Sequence, residues 1–274
     1  MTRYGMAMDV TKCNGCYNCF LACKDEHCGM AHPPYSAAQP MTGHQWMRIV
    51  ENERGQYPKV KVDYLAIPCM HCENAGCVEA ADDDAIYRRA DGIVLIDPAK
   101  AKGQKDLVSS CPYRVIYWNE AAQVAQKCTL CAHLLDAGWK EPRCVEACPT
   151  AALVFGDLDD PNSAVSAALA SAGSEVLHPE YGLGEQVRYI GLPRNFVAGS
   201  VVFGDRDECA TGVTVSMEGD GRTVTAVTDG FGDFEFEGLP ANTSYKLKIA
   251  APGYAAREFD VRTGTSVYLG DIVL

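Results

Sequence analysis

The chain has 274 residues, enough for two domains of ordinary size, and 47% of them are hydrophobic, so real cores can form. Its 24 basic and 36 acidic residues give a net charge of −12, which argues against a nucleic-acid partner, because that binding relies on Lys and Arg neutralising phosphates. Of its 14 cysteines, 13 precede residue 150, mostly at CxxC spacing, and the N-terminus lacks the apolar segment of a secretory signal. They therefore read as metal ligands in a reducing compartment rather than as a disulfide framework.

Taken in order, the first run is Cys13-Asn-Gly-Cys16-Tyr-Asn-Cys19-Phe-Leu-Ala-Cys23. Three closely spaced thiolates can hold one iron–sulfur cube, while the fourth reaches a different cluster. Residues 24–64, with Cys28 and Trp46 among them, read as loop that ends in a strand around Lys59–Leu65. The second run places Cys69, Cys72 and Cys77 at cluster spacing, with Ala81 where a fourth ligand would stand. Two strand-like pieces around Asp91-Gly92 predict a hairpin. A third run would fall next, but only Cys111-Pro is present. Ala101, Gln104 and Leu107 occupy its first three positions. Val115–Asn119 reads as a strand, and the fourth run is Cys128, Cys131, Cys144 and Cys148-Pro. Asn162 or Ser163 is placed to cap a short helix through Ala172, and residues 175–193 read as an extended tail. No stretch approaches the ~20 apolar residues needed to span a bilayer.

From about residue 196, seven short alternating segments are separated by Gly- and Pro-rich turns. That pattern argues for an antiparallel β-sandwich over 196–274, behind an iron–sulfur domain over 1–195 whose tail starts near 156. Thr228-Asp-Gly, Phe234-Glu-Phe, Gly238-Leu-Pro and Pro252-Gly-Tyr resemble the prealbumin-like modules related to carboxypeptidase regulatory domains. The fold class is thus α+β: tandem bacterial-ferredoxin-like modules, then an all-β, Ig-like sandwich.

In ferredoxin-like pairs, three cysteines of one run bind a cluster that the trailing Cys-Pro of the paired run completes. The first and fourth runs are whole; the second and third are both damaged. Pairing like with like assigns one cluster to Cys13, Cys16, Cys19 and Cys148, a second to Cys23, Cys128, Cys131 and Cys144, and a third to Cys69, Cys72, Cys77 and Cys111. A fourth would fall on Ala81, Ala101, Gln104 and Leu107, none of them a ligand. Cys28 and Cys209 are spare. Structural zinc is the alternative for CxxC pairs, but zinc sites need no swapped Cys-Pro. His71 and His133 lie near ligands in sequence, where they could tune a potential or simply be structural.

Four such runs in this order, with Cys148-Pro-Thr-Ala-Ala and Gly156-Asp-Leu-Asp-Asp-Pro behind them, resemble the iron–sulfur subunits of molybdopterin oxidoreductases of the dimethyl sulfoxide reductase superfamily. The resemblance covers residues 1–193. The missing fourth ligand set and the added sandwich resemble, within that superfamily, the small subunits of molybdenum transhydroxylases acting on polyhydroxybenzenes. It implies three [4Fe-4S] clusters here and a large catalytic partner carrying molybdenum bis-molybdopterin guanine dinucleotide. It also implies a cytoplasmic complex, higher assemblies of the heterodimer, a first cluster that faces the partner, and no catalytic residue in this chain. The competing readings are an electron-transfer subunit of a respiratory reductase or dehydrogenase, and a non-catalytic metal-binding or assembly protein.

Overall fold

The computed structural model describes residues 2–274. The chain divides into two compact units: residues up to Glu51 with Asp63–Leu192, and Asn52–Val62 with Pro193–Leu274.

In the first unit, β1 (Tyr4–Asp9) leads through a 3₁₀ turn to α1 (Asn18–His27). After a long loop, β2 (Arg48–Gln56) pairs with β3 (Lys59–Ile67), a hairpin whose tip, residues 52–62, belongs to the second unit. Then come α2 (Gly76–Glu79), a hairpin of β4 (Ile86–Arg88) and β5 (Val94–Ile96), and a second hairpin of β6 (Tyr117–Asn119) and β7 (Val124–Gln126). They are followed by α3 (Ala132–Asp136), α4 (Arg143–Glu146), β8 (Leu153–Asp157), α5 (Ala164–Ala172) and β9 (Val187–Ile190). Gly92, at φ +85°, supplies the positive dihedral that the β4–β5 turn requires. Ser163 caps α5, its Oγ accepting from Ser166 N–H.

Two stretches differ from the sequence expectation. The segment read as loop contains β2, and the segment read as tail contains β9. β1 lies at the centre of a three-stranded sheet, antiparallel to β8 and parallel to β9. β1 is buried on both faces: Met6 and Met8 enter the main core beside Trp46, Met47 and Tyr189, while Ala7 packs under α5 with Val165 and Ile190. β9, four residues long with its partner β1 over a hundred residues away, carries no local signal, and the Glu51-Asn-Glu-Arg-Gly55 stretch of β2 has low strand propensity.

In the second unit, β10 (Asn195–Phe203) pairs with β11 (Glu208–Cys209), β14 (Asp233–Leu239) and β17 (Val267–Val273). The other sheet runs β13 (Arg222–Val227), β12 (Thr214–Gly219), β15 (Ser244–Ala250), β16 (Arg257–Arg262). The alternation in β15 puts Tyr245, Leu247 and Ile249 into a core with Val215, Met217, Phe234 and Phe236. One pairing departs from a purely antiparallel sandwich: β10 and β17 run parallel. Thr228 is buried and ties the sheet turn together. Its hydroxyl accepts from Val213 N–H at 2.9 Å and donates to the Ala210 carbonyl.

Candidate metal centre

Each cysteine run folds into one local form. The residue two places after the first cysteine is left-handed: Gly15 (φ +69°), His71 (φ +46°) and Leu130 (φ +53°). That twist turns its N–H back onto the first thiol, at 3.4 Å for both His71 on Cys69 Sγ and Leu130 on Cys128 Sγ. Gly15 N–H bonds Cys13 in the same way. The third cysteine then sits on a helix, Cys19 on α1, Cys77 on α2 and Cys144 on α4.

These loops bring the thiols together in three groups of four. Cys148 lies beside Cys13 and Cys19, with Cys16 adjoining. Cys23 joins Cys128 and Cys131, and Cys144 completes that group. Cys69, Cys72, Cys77 and Cys111 line one small cavity, of about 20 Å³, with Val94, Ile116 and Lys127. The groups lie in a row: Cys19 reaches toward Cys23 and Cys144, and Cys128 toward Cys69. Cys28 and Cys209 stand apart. Cys28 Sγ contacts Met41 Sδ at 3.7 Å, and Cys209 is exposed on β11. All fourteen cysteines are free of disulfides.

The electrostatics of these groups call for a cation. Burial first, and then repulsion from neighbouring thiolates, pushes Cys19 up to about 11 and the Cys23 and Cys144 thiols well up. Burial likewise pushes Cys131 up to about 12 and raises Cys72, whose neighbours Cys69 and Glu185 add repulsion. Cys148 runs the other way. Burial raises it, but the Leu153, Ala152 and Thr150 N–H groups and the Thr150 hydroxyl outweigh that and hold it low. Thiols gathered in fours, those of the second group all buried, and supported by N–H donors match the donor chemistry of iron–sulfur cubes. A buried, unpartnered donor supports the fit. His71 Nδ1 accepts from Val94 N–H at 3.0 Å, so Nε2 carries the proton, and Nε2 is buried without a partner among the described residues.

The fourth position has the same loop skeleton without the thiols. Gly103, two places after Ala101, is left-handed at φ +81°. Asp84, three places after Ala81, has φ +53°, as Arg114 (+54°) and Ala151 (+50°) do after Cys111 and Cys148. Ala101 and Leu107 are buried in a small apolar core with Ile86, Val94 and Ile116, against which Ala81 packs. Gln104 ties the two loops together. Its Oε1 accepts from Asp82 N–H at 3.1 Å, and its Nε2 donates to the carbonyls of Asp82 (3.2 Å) and Lys100 (3.1 Å).

Of the side chains near the thiols, His27, Lys127 and Glu185 escape sequence reasoning, whereas His133 does not. His27 is buried, its Nε2 3.8 Å from Cys131 Sγ and its ring against Trp46. Burial, then the nearby His133 and His32 rings, pushes it down to about 3, so it is neutral at physiological pH. His133 Nε2 meets Glu26 Oε1 at 2.9 Å. Lys127 and Glu185 are buried near the third group. The only signal for Lys127 is its place directly before Cys128.

Fold and site together define an iron–sulfur protein of the ferredoxin type. Residues 60–158 match the 4Fe-4S dicluster domain family, and residues 197–274 match the carboxypeptidase regulatory-like domain family. The chain is 45% identical, over all of both chains, to the pyrogallol hydroxytransferase small subunit of Pelobacter acidigallici. It is 35% identical to a putative dimethyl sulfoxide reductase iron-sulfur subunit of Halobacterium salinarum, over 69% of this chain and 79% of that one. It is also 36% identical to a tetrathionate reductase subunit of Salmonella typhimurium, over 71% of this chain and 75% of that one. The chain belongs to the iron–sulfur subunits of the dimethyl sulfoxide reductase superfamily of molybdopterin oxidoreductases. As such it is an electron-transfer subunit, non-catalytic itself. No helix among the described residues is long and apolar enough to cross a membrane.

Proposed function

We propose that this chain is the electron-carrying small subunit of a cytoplasmic molybdenum transhydroxylase, an enzyme that moves a hydroxyl between polyhydroxybenzenes such as pyrogallol and phloroglucinol. The observation that carries this reading is the full-length match, sandwich included, to a pyrogallol hydroxytransferase small subunit. The catalytic chemistry belongs to a large partner holding molybdenum on two molybdopterin guanine dinucleotides. Fourteen free thiols suit the reducing compartment in which we place the complex.

The tandem ferredoxin-like modules hold three [4Fe-4S] clusters: on Cys13, Cys16, Cys19 and Cys148; on Cys23, Cys128, Cys131 and Cys144; and on Cys69, Cys72, Cys77 and Cys111. Such clusters take up and release single electrons. The chain's own residues set where that can happen. Trp46, Leu130, Val145 and Met70 are buried around the ligands and keep water out. Ala101 and Leu107 close the row beyond the third group with packed side chains. A closed row suits hydroxyl transfer, which has no net redox change and returns every electron to the partner.

Metal analysis of the native complex tests this. The expected result is about twelve iron atoms per small subunit, molybdenum with pterin on the large one, and turnover without an external electron acceptor. About sixteen irons would overturn the cluster assignment. A stoichiometric need for an external carrier would favour a respiratory reductase or dehydrogenase.

A further inference from the structure

Lys127 is 3% exposed, and its two hydrogen bonds both go to carbonyls, those of Val94 and of Cys128, the latter at 3.2 Å. A buried ammonium held only by carbonyl dipoles is costly unless a negative charge faces it. What faces it is the third thiol group. Lys127 lines the same cavity as Cys69, Cys72, Cys77 and Cys111, and among the described residues no carboxylate lines that cavity. Its charge bears on Cys77 and Cys111 of this group, and also on the adjoining Cys128 of the second. The opposing charge is Glu185, which bears on Cys72 from outside the cavity and accepts a 2.6 Å hydrogen bond from Tyr113 Oη.

This placement has a redox consequence, which rests on the cluster assignment proposed above. Reduction adds negative charge to a cluster, and a fixed positive charge in a low-dielectric enclosure favours the more negative state. The third group also ends the row, because Ala101 and Leu107 fill the next position. We propose that Lys127 raises the reduction potential of the cluster on Cys69, Cys72, Cys77 and Cys111, so that an electron passed along the row is held at its closed end. Lys127 is a positioning charge here, and it ligates nothing.

The test is an anaerobic redox titration of the holo-complex followed by electron paramagnetic resonance. The third cluster's signal is assigned by its loss in Cys111→Ser. In Lys127→Met, the ratio of reduced to oxidised third cluster at a fixed potential should fall at least tenfold, a 59 mV shift for a one-electron couple. The cluster on Cys13, Cys16, Cys19 and Cys148 should not move, and Lys127→Arg should restore the third. Should Lys127→Met lose iron, Lys127→Gln and Lys127→Arg are compared, since both can donate to the two carbonyls and differ in charge. An unchanged third potential at full iron content, or an equal shift in all three clusters, overturns the proposal. Failure of the assignment itself reads differently: the unmodified complex would then lack three reducible clusters.

Discussion

Cys19 and Cys23 lie one turn apart on α1, yet they face different thiol groups. Residues four apart share a helix face but are offset along the axis, so one turn of α1 divides two adjoining sites. Cys23→Ala should therefore remove the cluster of Cys128, Cys131 and Cys144, measured as loss of its resonance signal, and spare the cluster of Cys13, Cys16 and Cys19. Loss from the first run instead would sink the swap. Gly15 faces a stricter demand than its counterparts His71 and Leu130. It is left-handed, and a Cβ there would meet the Tyr64 ring at 2.5 Å. Gly15→Ala should destabilise the protein by more than about 1 kcal/mol, seen as a lower urea midpoint by circular dichroism. An unchanged midpoint would mean that Tyr64 yields freely.

At the level of elements, the fourth loop shows how the same loop form holds together without thiols. The backbone keeps its left-handed corners at Gly103 and Asp84. The linking role passes to two ordinary interactions, the Ala101–Leu107 core and the three hydrogen bonds of Gln104. Leu107 is 2% exposed, so Leu107→Ala should cost about 2–5 kcal/mol. Gln104 is near the surface, where water replaces lost partners, so Gln104→Ala should cost only about 1 kcal/mol. Chemical denaturation of the two variants side by side checks both the magnitudes and their order. Equal costs would mean that the apolar core does not carry the link.

For the molecule as a whole, the β2–β3 tip belongs to the second unit. Lys59 and Lys61 both pair with Glu235, and Phe196 packs at Gly55 under Arg54 and Lys61. A chain ending at Leu192 would strip residues 52–62 of these partners. Limited proteolysis of that truncated holoprotein should therefore cut first within 52–62, whereas the full chain resists there. Protection of the tip without the sandwich would show that the hairpin holds itself together.

The cysteine pattern was readable because ligation is local: three thiols within a few residues, plus one at a helical offset, leave a spacing that little else produces. The β4–β5 hairpin, the Ser163 cap and the sandwich alternation were readable for the same reason, since each depends on neighbours in the chain. β9 was not, because its partner β1 lies far away in sequence, and β2 was not, because its Glu51-Asn-Glu-Arg-Gly55 stretch has low strand propensity. Nor was Lys127, a residue type that usually remains in water. Its burial follows from where β5 and the Cys128 loop meet. Local chemistry thus marked out the cysteine runs, while the row the thiol groups form, its closed end and the charge beside it depend on long-range packing, where distant segments share one low-dielectric interior.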